Sequence, residues 1–205
     1  MTTIHLVRHG RTVWHDGNRY AGASDVALDD VGRAQAAALA PWAASAGLDA
    51  VVASDLTRAI DTARVAADAA GVELRVDARL REVDFGSGEG LTTAEQEARM
   101  PQARAAFVAR PASSPLPGGE AGADAAARAW AALGDVVDAV GDGTALVVAH
   151  TTLIRLVLCR ALGIPLDEYR RVLPRLDNAT RTTLDARRDG DGLRVALLAY
   201  NAPVA

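Results

Sequence analysis

Two imidazoles and two guanidiniums are the side chains of this sequence best placed to do chemistry. His9 and His150 each directly follow a short hydrophobic run, residues 3–7 and 144–149, and most of the chain separates them. Parallel strands ending at one sheet edge would bring them together. Arg8 accompanies His9, and Arg58 stands one helical turn past Ser54, where another apolar run ends. One edge can therefore collect both pairs, a mixture that suits a dianionic phosphoryl group because the planar guanidinium fork binds its oxygens bidentately. Each residue also has a plainer reading. A lone histidine after a strand is more often an ordinary packed or surface side chain. Arg58 paired with Asp55 or Asp61 would be a surface contact worth about 0–1 kcal/mol.

The elements that must position these groups follow from periodicity. Residues 3–7 are β-branched and apolar and stop before Gly10, a strand delivering polar groups at its carboxyl end. Residues 30–46 carry Val31, Ala34, Ala38, Leu39, Trp42 and Ala46 at helical spacing behind the capping candidate Asp29. Residues 50–53 read as a buried strand ending at Ser54 and Asp55, a cap pair for a helix over 56–70. After an extended piece at 74–76, residues 80–93 interleave Gly86, Gly88 and Gly90 with Glu82, Asp84 and Glu89, which predicts an irregular loop and part of a site. A short helix then leads into the proline-rich segment 111–119, expected to be a mobile surface stretch that could cover a pocket.

Further on, Ala126, Trp130, Leu133, Val137 and Val140 predict a helix ended by Gly141. Residues 144–149 predict a strand, 153–162 a helix closed by Gly163 and Pro165, and 181–185 with 193–200 an edge hairpin around Asp189-Gly190-Asp191-Gly192. Strand and helix alternate without a break in composition. The expected architecture is one domain over residues 1–205, an α/β three-layer sandwich with a mainly parallel sheet, helices on both faces and an antiparallel edge strand.

Composition narrows the function classes. The 205 residues are 50% hydrophobic and 23% charged, enough for a core of their own and unlike a disordered chain or a disulfide scaffold. The oiliest region, 145–158, is cut by His150 and Arg155, so no membrane span is expected. The first residues carry no readable signal sequence, which predicts a cytoplasmic protein. Cys159 is the single cysteine and sits in an apolar run, so burial is expected rather than a disulfide or a cysteine zinc site. A net charge of −4 argues against nucleic acid as a partner. The chain has no lysine, so all 22 cationic side chains are arginines.

The motif Leu6-Val7-Arg8-His9-Gly10-Arg11-Thr12, followed by Arg19, Gly22, Asp25, Leu28, Gly32 and Gln35, closely resembles the histidine phosphatase (phosphoglycerate-mutase-like) superfamily. The resemblance continues through Ser54-Asp55-Leu56-Thr57-Arg58-Ala59, Thr62-Ala63, Leu80-Arg81-Glu82-Val83-Asp84-Phe85-Gly86, Glu89-Gly90-Leu91-Thr92, Gly118-Gly119-Glu120 and Val147-Val148-Ala149-His150. An ordered set over nearly the whole chain is specific where any one piece is weak. It implies that His9 is a nucleophile forming a phosphohistidine, that Arg8, Arg58 and His150 bind the phosphoryl oxygens, and that Glu82 donates a proton to the leaving group. No cofactor or metal is implied, and arginines beside a cation would repel it. Elementary chemistry agrees with each role. Neighbouring cations keep an imidazole neutral and nucleophilic, and a departing alkoxide needs a proton.

Three positions depart from the family pattern. His15 stands where an asparagine usually contacts the phosphate, Thr151 where a glycine usually follows the second histidine, and Ala121 where a serine is common. His15, Thr151, Arg19 and Tyr20 are expected to bind substrate. Arg11 and Glu120 are lesser candidates for the rim and Trp14 for a pocket wall, while His5, Trp42 and Trp130 read as structural. The expected function is a metal-independent phosphomonoesterase acting on a small phosphorylated metabolite. A mutase is the nearest rival, although the long insertions and Glu-Arg-x-Tyr-Gly stretch of that branch are absent. A non-catalytic phosphate-ligand binder is the rival from another class. The terminal hairpin offers an edge on which a second copy could pair as a homodimer.

Overall fold

The structure, a computed structural model, describes residues 1–190 and 192–204. Within these residues six strands form one sheet: β1 (Thr2–Arg8), β2 (Ala50–Ala53), β3 (Leu74–Val76), β4 (Thr144–Ala149), β5 (Arg181–Asp189) and β6 (Gly192–Ala202). Their order is β3-β2-β4-β1-β5-β6. The first four run parallel, while β5 pairs antiparallel with β1 and β6 antiparallel with β5. The sheet is therefore mainly parallel, with the expected antiparallel hairpin at one edge. Asp191, in the hairpin turn expected from the sequence, lies outside the described residues.

Among the described residues eight α-helices accompany the sheet: α1 (Asp30–Ala37), α2 (Ala40–Ser45), α3 (Thr57–Ala70), α4 (Thr93–Arg99), α5 (Pro101–Ala109), α6 (Gly122–Val140), α7 (Thr151–Leu162) and α8 (Tyr169–Val172). Strand parity sorts the core into two layers. Ile4, Leu6, Ala50, Val52, Ala145, Val147 and Ala149 face α6 and α7, while Val7, Val51, Ala53, Leu146 and Val148 face the layer of α2 and α3. Burial on both faces is why these strands read as continuous apolar runs. Cys159 is buried in the first layer, as expected. No helix among the described residues is long and apolar enough to cross a membrane.

Several local expectations change. The helix expected over 30–46 is two helices, because Pro41 has no N–H to continue the first ladder and its ring clashes with the preceding turn; it sits instead in the first turn of α2. Asp29 does cap α1, accepting from the Gly32 amide at 2.7 Å. Asp55 does not cap α3. It pairs with Arg81, and the cap comes from Asp25, which accepts from the Thr57 amide at 2.8 Å and hydroxyl at 2.6 Å. Segment 111–119 is packed rather than loose. Ala112 and Leu116 are buried, Asp167 accepts from the Ala112 and Ser113 amides, and the Pro117 carbonyl accepts from Ser87.

Candidate active site

β1 and β4 lie side by side and parallel, with Arg8 opposite Ala149 in the register. The residues that follow them, His9 and His150, consequently meet at one edge, their ring centroids 5.0 Å apart. The loop leaving β1 is held by several elements. The Gly10 amide donates to Thr62 Oγ1 on α3 at 3.0 Å, and Thr62 in turn donates to the Arg58 carbonyl at 2.7 Å. Gly10 and Gly32 also pass so closely that a β-carbon on either would overlap the other strand of backbone. Asn178, just before β5, donates to the His9 carbonyl at 2.8 Å, and the Ala179 amide donates to the Arg8 carbonyl at 2.8 Å.

His9 Nδ1 lies 2.6 Å from the Gly10 carbonyl oxygen. A carbonyl only accepts, so the ring proton sits on Nδ1 and Nε2 presents its lone pair. Burial, followed by the charges of Arg58 and Arg8, holds the His9 pKa well below its ordinary value, so the ring is neutral at neutral pH. His150 is fully buried and its pKa is depressed in the same way, by burial and then by Arg58. Among the described residues neither of its ring nitrogens has a hydrogen-bond partner, and Nε of both Arg8 and Arg58 is likewise buried and unpartnered. Buried polar atoms left unpaired cost about 1–3 kcal/mol each, and these, unlike the scattered ones at Gln96, Arg104 and Arg181, gather around one imidazole in an arrangement that fits an anionic ligand.

Arg8 lines the cavity above His9, anchored to the Leu176 carbonyl at 2.7 Å. Burial is the main reason its pKa falls to about 10. Arg58 is 0% exposed and does not line that cavity. Its two terminal nitrogens donate to the Ser24 and Gly22 carbonyls at 2.7 and 2.8 Å, and each retains a second hydrogen. Glu82, 3% exposed, reaches from the glycine-rich loop to the start of α7. Its Oε2 accepts from the Thr152 amide at 2.9 Å, and its Oε1 accepts from the Leu153 and Val83 amides at 2.9 Å. Oε1 is thus fully used, whereas Oε2 keeps a lone pair or a proton free at the cavity.

The cavity has a volume of about 420 Å³. Of the residues expected there, His15, Arg19, Tyr20 and Thr151 all line it. His15 Nε2 accepts from Arg8 at 2.8 Å, and burial with the Arg8 charge lowers its pKa to about 4. Arg19 is neutralised by Glu95 at 2.8 Å. Tyr20 stacks edge-on against Phe85 and accepts from Arg104 at 2.9 Å. Arg11, Trp14 and Glu120 are not in the lining. Arg11 pairs with Asp16 and Asp29, and Glu120 with Arg128.

That last pair is a feature the sequence reading missed. Arg128 also donates to the carbonyls of Arg79, Arg81 and Glu82 at 2.6–3.0 Å, stapling the loop that carries Glu82 to α6. Nothing local distinguishes Arg128 from the other arginines of an amphipathic helix. Asn178 was missed for the same reason, while Arg155 and Arg170, also in the lining, follow no motif.

A family model for the histidine phosphatase superfamily (branch 1) matches residues 4–199. The chain belongs to this superfamily. Among its relatives, a glucosyl-3-phosphoglycerate phosphatase of Mycolicibacterium vanbaalenii is 36% identical over 91% of this chain and 86% of its own length. A probable phosphoglycerate mutase of Yersinia pestis is 32% identical over 90% and 85%. Solved superfamily structures superpose closely. A mycobacterial glucosyl-3-phosphoglycerate phosphatase in complex with VO3 has a TM-score of 0.88 at 33% identity, covering 98% of this chain and 99% of that one. Bacillus stearothermophilus YhfR has a TM-score of 0.89 at 28% identity over 100% of both.

Proposed function

We propose that this protein is a phosphomonoesterase that hydrolyses a small phosphorylated metabolite through a phosphohistidine on His9. The observation that carries the reading is the buried cluster around the free Nε2 of His9, where His150, Arg8 and Arg58 all hold unpartnered nitrogens. In the first step Nε2 attacks phosphorus and the ester P–O bond breaks. A proton from Glu82 Oε2 goes to the departing oxygen, releasing an alcohol. In the second step water attacks the phosphohistidine, its proton passes to Glu82, the N–P bond breaks and inorganic phosphate leaves. Arg8, Arg58 and His150 donate to the equatorial oxygens, where removing one such donor typically costs about 10²-fold in rate. The glucosyl-3-phosphoglycerate phosphatase relative supports a small substrate, as does a cavity at the lower end of the usual range for ligand pockets. Phosphorylated metabolites are charged and stay where they are made, so the reading places the enzyme in the cytoplasm.

The test is turnover of p-nitrophenyl phosphate without added metal, together with trapping of an acid-labile phosphoenzyme. His9→Ala is expected to abolish both, and an adduct that survives the substitution would overturn the proposal. The probable mutase among the relatives favours a second reading, in which the phosphoryl group is retained and returned to another oxygen. Isomerisation of a phosphoglycerate without phosphate release would establish it. Binding without turnover of any ester would leave a non-catalytic module instead.

A further inference from the structure

Arg8 brings its charge to the cavity without a carboxylate to answer it. Among the described residues no acidic side chain pairs with it, in contrast to Arg19 on the same cavity, which Glu95 neutralises. Two neutral acceptors hold it instead. The Leu176 carbonyl takes a hydrogen from Nη1 at 2.7 Å, and His15 Nε2 takes one from Nη2 at 2.8 Å. Among the described residues this leaves Nε–H and one hydrogen on each terminal nitrogen for a ligand. Pinned at two corners, the guanidinium cannot turn in its own plane, and its full charge stays available.

His15 is held in the accepting state. Arginine only donates, so the Nε2 that faces Arg8 bears the lone pair and Nδ1 bears the ring proton. The Thr12 hydroxyl, 2.9 Å from Nδ1 and on a residue that is 0% exposed, accepts that proton. The Thr12 amide, 3.1 Å from the same nitrogen, favours the opposite tautomer, but that tautomer would set an Nε2–H against an Arg8 N–H at 2.8 Å. Burial, followed by the Arg8 charge, keeps the ring neutral. The ring stands edge-on to that of His9, with centroids 6.3 Å apart, and has no hydrogen left to donate.

We propose that His15 is a positioning residue: it fixes Arg8 in the orientation from which the guanidinium meets a phosphoryl group on His9, and does not itself bond the phosphoryl oxygens. This rests on the phosphomonoesterase reading above and deepens it. It differs from the role of the asparagine usual at this position, which contacts phosphate directly. The freedom of the long Arg8 side chain is lost on folding rather than during reaction. Such pre-organisation is felt most where charge builds on the equatorial oxygens, so it acts on kcat more than on KM.

A double-mutant cycle on p-nitrophenyl phosphate turnover separates a residue acting through Arg8 from one that touches the substrate. His15→Leu is expected to lower kcat/KM about tenfold or more, mostly in kcat, as loss of a hydrogen bond to a charged group gives. In an Arg8→Met background the same substitution is expected to cost less than about twofold, because nothing remains to be held. His15→Gln, whose amide oxygen reaches about as far as Nε2, keeps most of the rate. An equal loss in both backgrounds, a Gln variant as slow as the Leu variant, or a Leu variant as fast as the unaltered protein would each overturn the proposal. Nitrogen NMR of the unaltered protein is a readout that needs no variant to fold. The His15 proton is expected on Nδ1, and a proton on Nε2 of the free protein would also overturn the proposal. Failure of p-nitrophenyl phosphate turnover is a different result. It would remove the phosphomonoesterase reading, and the same cycle on calorimetric binding of inorganic phosphate would still decide the role of His15.

Discussion

The nucleophile proposed here depends on a single proton. The Gly10 carbonyl, 2.6 Å from Nδ1 of His9, fixes which ring nitrogen is protonated and leaves the other to attack. Glu82 has a similar division of labour, with Oε1 tied to two amides and Oε2 to one. If Oε2 delivers the proton, Glu82→Gln will hurt poor leaving groups most. We expect kcat to fall about 10²-fold for an alkyl phosphate such as glycerol 3-phosphate and far less for p-nitrophenyl phosphate, whose leaving group needs little help. Equal losses on the two esters would remove Glu82 from the proton-transfer role. His15 was legible in the sequence as a departure, but its setting was not. Its Nδ1 lies 3.1 Å from the Thr12 amide and 2.9 Å from the Thr12 hydroxyl, and its Nε2 accepts from Arg8. Thr12 thus offers Nδ1 both a donor and an acceptor.

At the scale of elements, the site is assembled by contacts between segments far apart in the chain. Asp25 caps α3 from a loop, Thr62 on α3 holds the turn after His9, and Arg128 on α6 holds the loop of Glu82. Arg128→Met removes an ion pair with Glu120 and three bonds to backbone carbonyls, and leaves Glu120 partly buried and unpaired. The expected cost is about 2 kcal/mol of stability by denaturant unfolding, together with a fall in kcat larger than any change in KM, because Glu82 is positioned through this staple. An unchanged kcat would mean that the loop holds itself. Gly22 illustrates how tightly these segments meet: a β-carbon there would overlap the Val83 carbonyl and the Glu89 carboxylate that cross-links the loop.

Over the whole molecule, the four histidines share one electrostatic habit. His5 and His15 have pKa values lowered to about 4, and His9 and His150 fall well below the ordinary 6.5, in every case with burial as the leading cause and arginine charge behind it. The unfolded chain therefore binds more protons than the folded one once the pH drops below about 6.5. Stability is fully present above that pH and is lost progressively toward about pH 4. Carboxylates such as Asp77, held low by its bonds to Arg79, act only at more acid pH. We expect Tm to fall by roughly 5–10 °C between pH 7 and pH 5, with a shallower slope in His15→Asn. A Tm flat over that interval would show that the imidazoles are not held neutral.

The sequence by itself determined the sheet, its two buried faces, the strand ends that carry Arg8, His9 and His150, and the family. Those features rest on periodicity and on motifs contiguous along the chain, which local chemistry dictates. The edge hairpin was legible, and the break at Pro41 follows from a local cause that helical periodicity overlooks, its missing N–H, but the packing of 111–119 was not legible, because it depends on the partners offered by Asp167 and Ser87. Arg8 and Arg19 were expected at the cavity and line it, whereas tertiary structure alone brought Arg155 and Arg170 there. Arg155 and Arg170 have no signature, since a guanidinium is drawn into a site by the aromatic faces and carbonyls that surround it in space. Arg11 and Glu120, which lie within recognisable motifs, were drawn instead to nearer opposite charges.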